Sequence, residues 1–452
     1  MKYTIDGSLQ ILGDGRQIMG GSPLRLFTLT EGGVKMLARL RDGDDLACNV
    51  LIDRLTDAGA IHPQPSEPGP FTADDVTFVV PAFGPVKVAD LGPRMVVVDD
   101  ASPEGRPTVP PHAVHLRRQT NGGPGAARTT GLTEVTTPLV AFVDADVVVS
   151  PGWLDGLLPH FVDHRVALVA PRVMATVGDG VLARFEVARS PIDLGPEPAR
   201  VRARTRVSYL PTAAIVVRAE VLRAIGGFDL GLRTGEDVDL MWRLIDAGHI
   251  VRYEPSVVVH HATRSSLSSW LKQRQGYGQS AGPLATRHPG ALAPLGVSGW
   301  NSVVWGLVGV GHPIAAFGIA VGTAAALTKK LSTMPKKAAL DLVRYGHLGA
   351  AKQIASAITR AWWPLALLAS AFSKRARRVV LAAAVLPALM DWRKDRPNLD
   401  PARYVALRVL DDSAYGFGLW QGAWRARTAE PLTPDLTSWP RPERFERRSN
   451  GR

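Results

Sequence analysis

The chain has 452 residues, 46% of them hydrophobic and 21% charged, which excludes wholesale disorder and provides for two or three domains. A net charge of +12 calls for an anionic partner, yet the basic residues interleave with long apolar runs and follow no helix-turn-helix, zinc or stacking pattern, so nucleic acid is set aside. Cys48 is the only cysteine, which rules out an intrachain disulfide, and residues 1–10 carry no apolar run of the secretory kind.

Residues 1–66 read as a separate small domain. Short strands are expected near 16–19 and 24–29, followed by a helix that Thr30 caps and that runs through Leu40 until Asp42-Gly43 breaks it. A second helical pattern, Leu46, Val50, Leu51 and Leu55, ends near Gly59, and Ala60-Ile61-His62 would return as a wing strand. This layout resembles the small winged-helix peptide-recognition domains of ribosomally made peptide pathways. The proline-rich stretch 63–70 then reads as a stiff linker, placed at 67–72.

From residue 73 the pattern becomes α/β. Residues 76–81 form a β-branched, apolar strand that ends in Pro81, and 95–98 form another that runs into Asp99-Asp100-Ala101-Ser102. The apolar run Leu139–Val143 ends in Asp144-Ala145-Asp146. In an open parallel sheet ligands bind beyond the carboxyl ends of the strands, so Pro81, Asp100 and Asp144 should meet at one crevice. Asp100 would accept from a base or ribose there, or cap the turn before Pro103. Between the strands a glycine-rich turn, Asn121-Gly122-Gly123-Pro124-Gly125, enters a helix whose first turns carry Arg128, within reach of phosphate or of a base edge. Two carboxylates one residue apart at a strand end can hold a divalent cation.

Downstream follow Leu210-Pro211-Thr212-Ala213, Gly226-Gly227-Phe228-Asp229 and Gly235-Glu236-Asp237-Val238-Asp239, then His260-His261. Taken in order over 77–278, these motifs closely resemble glycosyltransferase family 2, whose catalytic domain is a GT-A nucleotide-sugar-binding fold. The resemblance implies an inverting transfer in which Asp237, at the opening of the helix 238–247, is the base that deprotonates an acceptor hydroxyl. It places Asp146 on a divalent cation, Mn2+ or Mg2+, with Asp144 on cation or ribose and His261 completing the shell. His260 competes with His261, because neighbours on a strand face opposite ways. Pro81, Asp100, Arg128 and Asp144 fall on the donor side, Gly227 and Glu236 on the acceptor side, and Asp239 is expected to point elsewhere. One departure matters: processive synthases carry Gln-x-x-Arg-Trp after the base, whereas this chain has Gln273-Arg274-Gln275-Gly276-Tyr277. The role of Arg274 is thereby open and long polymerisation is not expected.

The catalytic domain is expected over 73–285 and a helical region over 286–428, with a disordered tail at 429–452. No Asp, Glu, Lys or Arg occurs in 289–328, and 302–328 is long enough for a bilayer crossing of about 20 residues, although Gly311-His312-Pro313 divides it. The runs 361–373 and 379–390 are too short to span. Residues 329–396 hold fourteen Lys and Arg against three Asp and Glu, so a membrane-associated region facing an anionic leaflet is expected, as a span, a re-entrant hairpin or an interfacial layer, with the catalytic domain on the cytoplasmic side. The whole architecture resembles the branch of the family that serves the mycofactocin system. That resemblance implies a UDP-glucose donor, a peptide-derived redox-cofactor acceptor and a short β-1,4-linked glucose chain. A cell-wall or lipid-linked oligosaccharide transferase is the alternative enzyme, and a membrane-bound inactive scaffold the non-enzymatic one.

Overall fold

The computed structural model of the protein describes residues 1–65, 69–264, 266–332 and 334–436. Residues 66–68, where the linker was expected to begin, and 437–452 of the expected tail lie outside the described residues. The chain divides into two compact units, 1–264 and 265–452.

The first unit opens with β1 (Lys2–Ile5), β2 (Gln10–Leu12), β3 (Gln17–Gly20), β4 (Arg25–Thr28), α1 (Glu31–Arg41), α2 (Val50–Asp57) and β5 (Ile61–Gln64). Thr30 caps α1 by accepting from the Gly33 amide, and Asn49 caps α2 by accepting from Leu51 and Ile52. Ile18, Leu37, Ile52, Leu55 and Ile61 close a small core of their own. The helices and the strand pair β3–β4 match the sequence expectation. The last strand does not pair with them: β5 lies antiparallel to β1, with Ile5 opposite Ile61. Strands β1 and β2 went unseen because only Leu12 of their seven residues is buried, which leaves almost no hydropathy signal. Arg206 ties this module to the rest of its unit, with Nη2 2.9 Å from Asp6 Oδ2 and its amide donating to Ser22 Oγ at 2.8 Å.

There follow β6 (Val76–Ala82), β7 (Met95–Asp99), β8 (Val114–Arg117), α3 (Pro124–Leu132), β9 (Leu139–Val143), β10 (Val147–Val149), β11 (Val166–Ala175), α4 (Val181–Arg189), β12 (Ala199–Arg200), β13 (Ala214–Arg218), α5 (Ala219–Ala224), α6 (Glu236–Asp246) and β14 (Ile250–His261). They form a nine-stranded sheet in the order β10-β14-β11-β13-β9-β6-β7-β8, with β12 also beside β14. Strands β9, β6, β7 and β8 run parallel, as do β11 and β14, while β13 is antiparallel between the two groups. The sheet is therefore mixed, and β6, β7, β9, β11 and β14 all deliver their carboxyl ends to one side. Every residue of β7 and β9 is buried, the signature of strands covered on both faces. Helix α3 lies on β6 and β7 so closely that a Cβ at Gly131 would sit 2.3 Å from Val79 Cγ1. Pro81 is tolerated within β6 because β9 pairs only as far as Val79, so no ladder bond is lost there.

The second unit contains α7 (Leu267–Gln279), α8 (Ala281–Arg287), β15 (Gly296–Val297), α9 (Gly299–Gly309), α10 (Pro313–Lys330), α11 (Lys336–Arg360), α12 (Trp363–Phe372), α13 (Lys374–Asp395), α14 (Pro401–Arg425) and β16 (Asp435–Leu436). Helices α7 and α8, which fall within the range 73–285 expected for the catalytic domain, pack on α14 of this unit. Glycines make that packing: a Cβ at Gly278 would stand 2.0 Å from the Tyr415 carbonyl oxygen, and one at Gly422 would stand 2.2 Å from that of Gln279. Residues 430–436 are also not tail. Gly296 and Val297 pair parallel with Asp435 and Leu436, and Trp362 Nε1 donates to the Leu432 carbonyl at 2.8 Å.

Among the described residues no helix is long and apolar enough to cross a membrane. The stretch 302–328 is broken at 310–312, as the Gly-His-Pro triplet implied: Gly311 adopts φ 86° and Pro313 begins α10, whose 18 residues already end in Lys329 and Lys330.

Candidate functional site

The site forms where the sheet delivers its carboxyl ends. Asp144 leaves β9 with its amide donating to the Ala213 carbonyl at 2.9 Å, so the Pro-Thr-Ala segment ahead of β13 fixes the turn. The chain then reverses into β10, which pairs antiparallel with the end of β14 and sets Val147 opposite His261 and Val148 opposite His260. This register puts Asp146 beside His261: Oδ1 lies 3.4 Å from Nε2, and the Ala262 amide donates to the Asp146 carbonyl at 3.1 Å. Asp144, Asp146 and His261 each bring one ligand atom to within 4.8 Å of the other two. His261 Nδ1 lies 2.8 Å from the Ala262 carbonyl, which can only accept, so Nδ1 donates and Nε2 is the ring nitrogen that faces Asp146 and would ligate a cation. Two carboxylates and a correctly set imidazole fit a hard or borderline divalent cation. His260 is next along β14 and faces the other way.

Behind this trio sits Arg128, 2% exposed, on α3. Its Nη2 lies 2.5 Å from Asp144 Oδ1, its Nη1 lies 3.1 Å from Glu236 Oε1, and its guanidinium rests 5.5 Å from the centre of the Phe228 ring. Arg128 was expected to reach outward to phosphate or base. The structure turns it inward, because the carboxylates just after β9 and at the start of α6 each hold one nitrogen of its buried guanidinium. Gly125 allows that approach, since a Cβ there would meet Glu236 Cγ at 3.0 Å. Burial opposes the arginine's charge, but Asp144 and Glu236 more than offset it and raise its pKa. Glu236, expected on the acceptor side, is bound into this pair as well, and burial pushes its own pKa up against the pull of Arg128.

Asp100 likewise has a structural task. Its Oδ1 accepts from the Gly122 amide at 3.0 Å and its Oδ2 from Gly123 at 2.7 Å, while Arg118 Nε stands 2.8 Å from Oδ1. It pins the glycine-rich turn, where Gly123 holds φ 87° at the N-cap of α3. Asp99 pins its own turn through Ser102 and Arg117; burial works against its charge, and those partners hold its pKa below the usual range.

Helix α6 begins two residues earlier than expected, with Gly235 as its left-handed N-cap, so Glu236 and Asp237 occupy the first turn. Asp237 is partly buried, and its carboxylate accepts from the Val238 amide at 2.8 Å. Burial first and the neighbouring Glu236 second push its pKa up to about 7. Asp239 does point away, into the protein, where it accepts from Arg243 Nε at 2.7 Å. Arg243 in turn donates to the carbonyls of Ile225 and Gly227 at 2.9 and 2.7 Å, which clamps the turn in which Gly227 takes φ 70°. That clamp escaped the sequence reading, although the Asp239/Arg243 spacing of four was there to find it. Arg274 belongs to the second unit, where its Nε stands 3.1 Å from Asp411 Oδ1 and its guanidinium packs on Trp270 and Tyr277.

Residues 139–390 match the model of the glycosyl transferase family group 2. Pre-mycofactocin glycosyltransferases from two strains of Mycobacterium tuberculosis, CDC 1551 / Oshkosh and H37Rv, are each 42% identical over 459 residues, covering 96% of this chain and 97% of theirs. Among solved structures, GalNAc-T7 with UDP, GalNAc and Mn2+ aligns with a TM-score of 0.32 at 15% identity, over 48% of this chain and 51% of that one. The mannosyltransferase PcManGT from Pyrobaculum calidifontis, in complex with GDP-Man and Mn2+, aligns with a TM-score of 0.35 at 17% identity, over 74% and 90%. Likeness at this level carries no weight; the family match and the full-length identity do. The chain belongs to the glycosyl transferase family group 2 and is a glycosyltransferase.

Proposed function

We propose that this glycosyltransferase moves glucose from UDP-glucose, with inversion, onto the peptide-derived precursor of mycofactocin and extends a short β-1,4-linked chain. The observation that carries this reading is the Asp144, Asp146 and His261 trio at the strand ends, in a chain 42% identical over nearly its full length to glycosyltransferases named for pre-mycofactocin. Asp146, His261 and Asp144 would hold Mn2+ or Mg2+, whose charge neutralises the departing diphosphate. Asp237 takes the proton of the acceptor hydroxyl as that oxygen attacks the anomeric carbon. A carboxylate whose proton affinity is raised suits this task better than an ordinary one. Glu236, engaged by Arg128, takes no part in proton transfer. The module over 1–66 is read as winged-helix-like and as the element that recognises the peptide-derived acceptor. The full chain, incubated with UDP-glucose, acceptor and Mn2+, should release UDP in step with hexose-sized mass gains. Acceptor-independent UDP release, or a product with the donor's α configuration, would sink this reading.

We further infer that the second unit rests on an anionic membrane surface with the first on the cytoplasmic side. Helix α12 contains no buried residue, and Ile314, Phe317, Leu365 and Phe372 are between 61% and 87% exposed. Lys374, Arg375, Arg377 and Arg378 follow directly. Apolar side chains beside clustered cations suit an interfacial layer on acidic lipid. Co-sedimentation with phosphatidylglycerol vesicles, but not with phosphatidylcholine alone, is the expected outcome; equal recovery in both supernatants overturns it.

A further inference from the structure

At the other end of β14, far from His261, the strand carries a group of arginines for which the glycosyl transfer has no use. Strand β12 pairs antiparallel with β14 and sets Arg200 directly opposite Arg252. Residues opposite each other in a ladder project from the same face, and like charges so placed repel. Arg252 is only 5% exposed and has neither hydrogen-bond nor ion-pair partner among the described residues. Arg202, half-buried two residues beyond Arg200, has none for its guanidinium either. Of the carboxylates nearby, Asp57 pairs with Arg200 itself, and Asp163, whose charge Arg252 feels, is bound by Arg165 at 2.9 to 3.3 Å. Glu254 is taken by His160 and Ser256.

An isolated buried guanidinium is costly unless a counter-charge meets it. Burial depresses both proton affinities, that of Arg200 to about 9 with Arg202 and Arg252 adding to the effect, and that of Arg252 to about 10 although Asp163 pulls the other way, so both still carry charge at neutral pH. Arg202 is depressed as well, by burial and then by Arg25 of β4. The phenol of Tyr3 on β1 feels the Arg252 charge and adds a donor from the N-terminal module. Arg202 and Arg252, whose guanidiniums have no hydrogen-bonded acceptor among the described residues, both lie within electrostatic reach of Arg200, which has Asp57 for a partner, so donors outnumber acceptors here and can receive an oxyanion.

We propose that Arg200, Arg202 and Arg252 form a phosphate-binding site at the seam between the N-terminal module and the sheet, separate from the donor crevice. The ligand class is a tetrahedral oxyanion, either free phosphate or a phosphate group on a larger molecule. This site is independent of the donor and acceptor assigned above.

The test is binding by the full-length protein in EDTA, with inorganic phosphate as the probe and sodium chloride balancing ionic strength. Calorimetry should show one phosphate site, and thermal unfolding should move upward with phosphate beyond the chloride control. Arg202→Gln, a half-buried change that leaves the core intact, should weaken phosphate by at least about tenfold, the loss of roughly one charged hydrogen bond. Arg252→Gln should do the same, and Asp146→Ala should leave binding unchanged. Pyrophosphate and methyl phosphate distinguish the sources: tighter binding of methyl phosphate than of the free ion assigns the site to a phosphate carried on a ligand, and the reverse to free phosphate. No phosphate-specific shift, binding preserved in Arg202→Gln, loss of binding in Asp146→Ala, or a response to malonate with none to phosphate would each overturn the proposal.

Discussion

Arg128 and Glu236 are 108 positions apart and meet at 3.1 Å with both side chains out of solvent, so one guanidinium joins the helix after the glycine-rich turn to the helix that carries Asp237. With Asp144 on its other nitrogen, Arg128 sets the spacing between the metal-ligand turn and the base. This arrangement makes Arg128 a positioning residue.

Removing that guanidinium leaves a buried carboxylate without its counter-charge, a loss on the order of 3–5 kcal/mol. Arg128→Met should lower the unfolding midpoint accordingly. Glu236→Gln in the same chain should restore part of it, because the uncompensated charge is then gone. A double variant no more stable than Arg128→Met alone would show that the two residues are not coupled.

Asp146→Ala should abolish Mn2+-dependent binding of the nucleotide sugar while the fold survives, since the Asp146 side chain is 40% exposed. His261→Ala should weaken the metal by about 10-fold to 100-fold, in keeping with removal of an oriented imidazole. His260→Ala, which faces the other way, should bind metal as the parent does. Titration of Mn2+ by calorimetry reads all three variants, and equal losses at 260 and 261 would remove the basis for choosing between the histidines.

Much of this site was legible in the sequence because its residues lie at strand ends, where hydropathy stops abruptly and the next residues are forced into the crevice. Asp144 and Asp146 were found that way, whereas Asp237, in the first turn of α6, was found through the resemblance of its motif to the family. The choice of His261 over His260 required the register of β10 on β14, which a strand of three residues does not reveal. The inward turn of Arg128 and the pinning role of Asp100 were hidden for another reason. Both depend on partners brought in by tertiary packing, and a linear motif looks the same whether its charge faces a ligand or another side chain. The packing of α7 on α14 rests on the close backbone approach at Gly278 and Gly422, which a linear pattern does not display.

Asp237→Asn should cost 10²–10⁴-fold in turnover, about 3–5 kcal/mol in the barrier, with nucleotide-sugar affinity nearly unchanged. A base acts in its deprotonated form, so with its pKa raised to about 7 the metal-free proton equilibrium leaves less active carboxylate as the pH falls below that value. The acid limb of kcat/KM should therefore track this group, moved to lower pH by any bound divalent cation. Asp239→Asn is a poor control despite lying two residues along α6, because it removes the charge that holds Arg243 on the Gly227 turn. Glu220→Gln, on α5, is the better one. Near-normal turnover in Asp237→Asn would move the base elsewhere.

The N-terminal module offers a prediction that separates its docking from catalysis. Asp6 is buried, with Nε2 of His62 at 2.9 Å from one carboxylate oxygen and Arg206 Nη2 at 2.9 Å from that same oxygen, while Ser8 holds the other. Burial alone would raise its pKa, but His62, Arg206 and Ser8 overcome it and hold the carboxyl well below the ordinary range. A carboxylate with a lowered native pKa contributes stability that is complete above its unfolded value near 4 and is lost as the pH falls toward the native one. Asp6→Asn should thus destabilise the first unit at pH 7 by about 2–4 kcal/mol, through the lost ion pairs and the unpaired guanidinium. The difference between parent and variant should hold constant from pH 7 to about 5 and then shrink on further acidification. Arg206→Gln, partly exposed, should give a smaller loss with the same pH trend. Unfolding midpoints of the three proteins between pH 3 and pH 7 decide the matter, and a difference that does not change with pH would show that Asp6 stabilises the module by shape and not by charge.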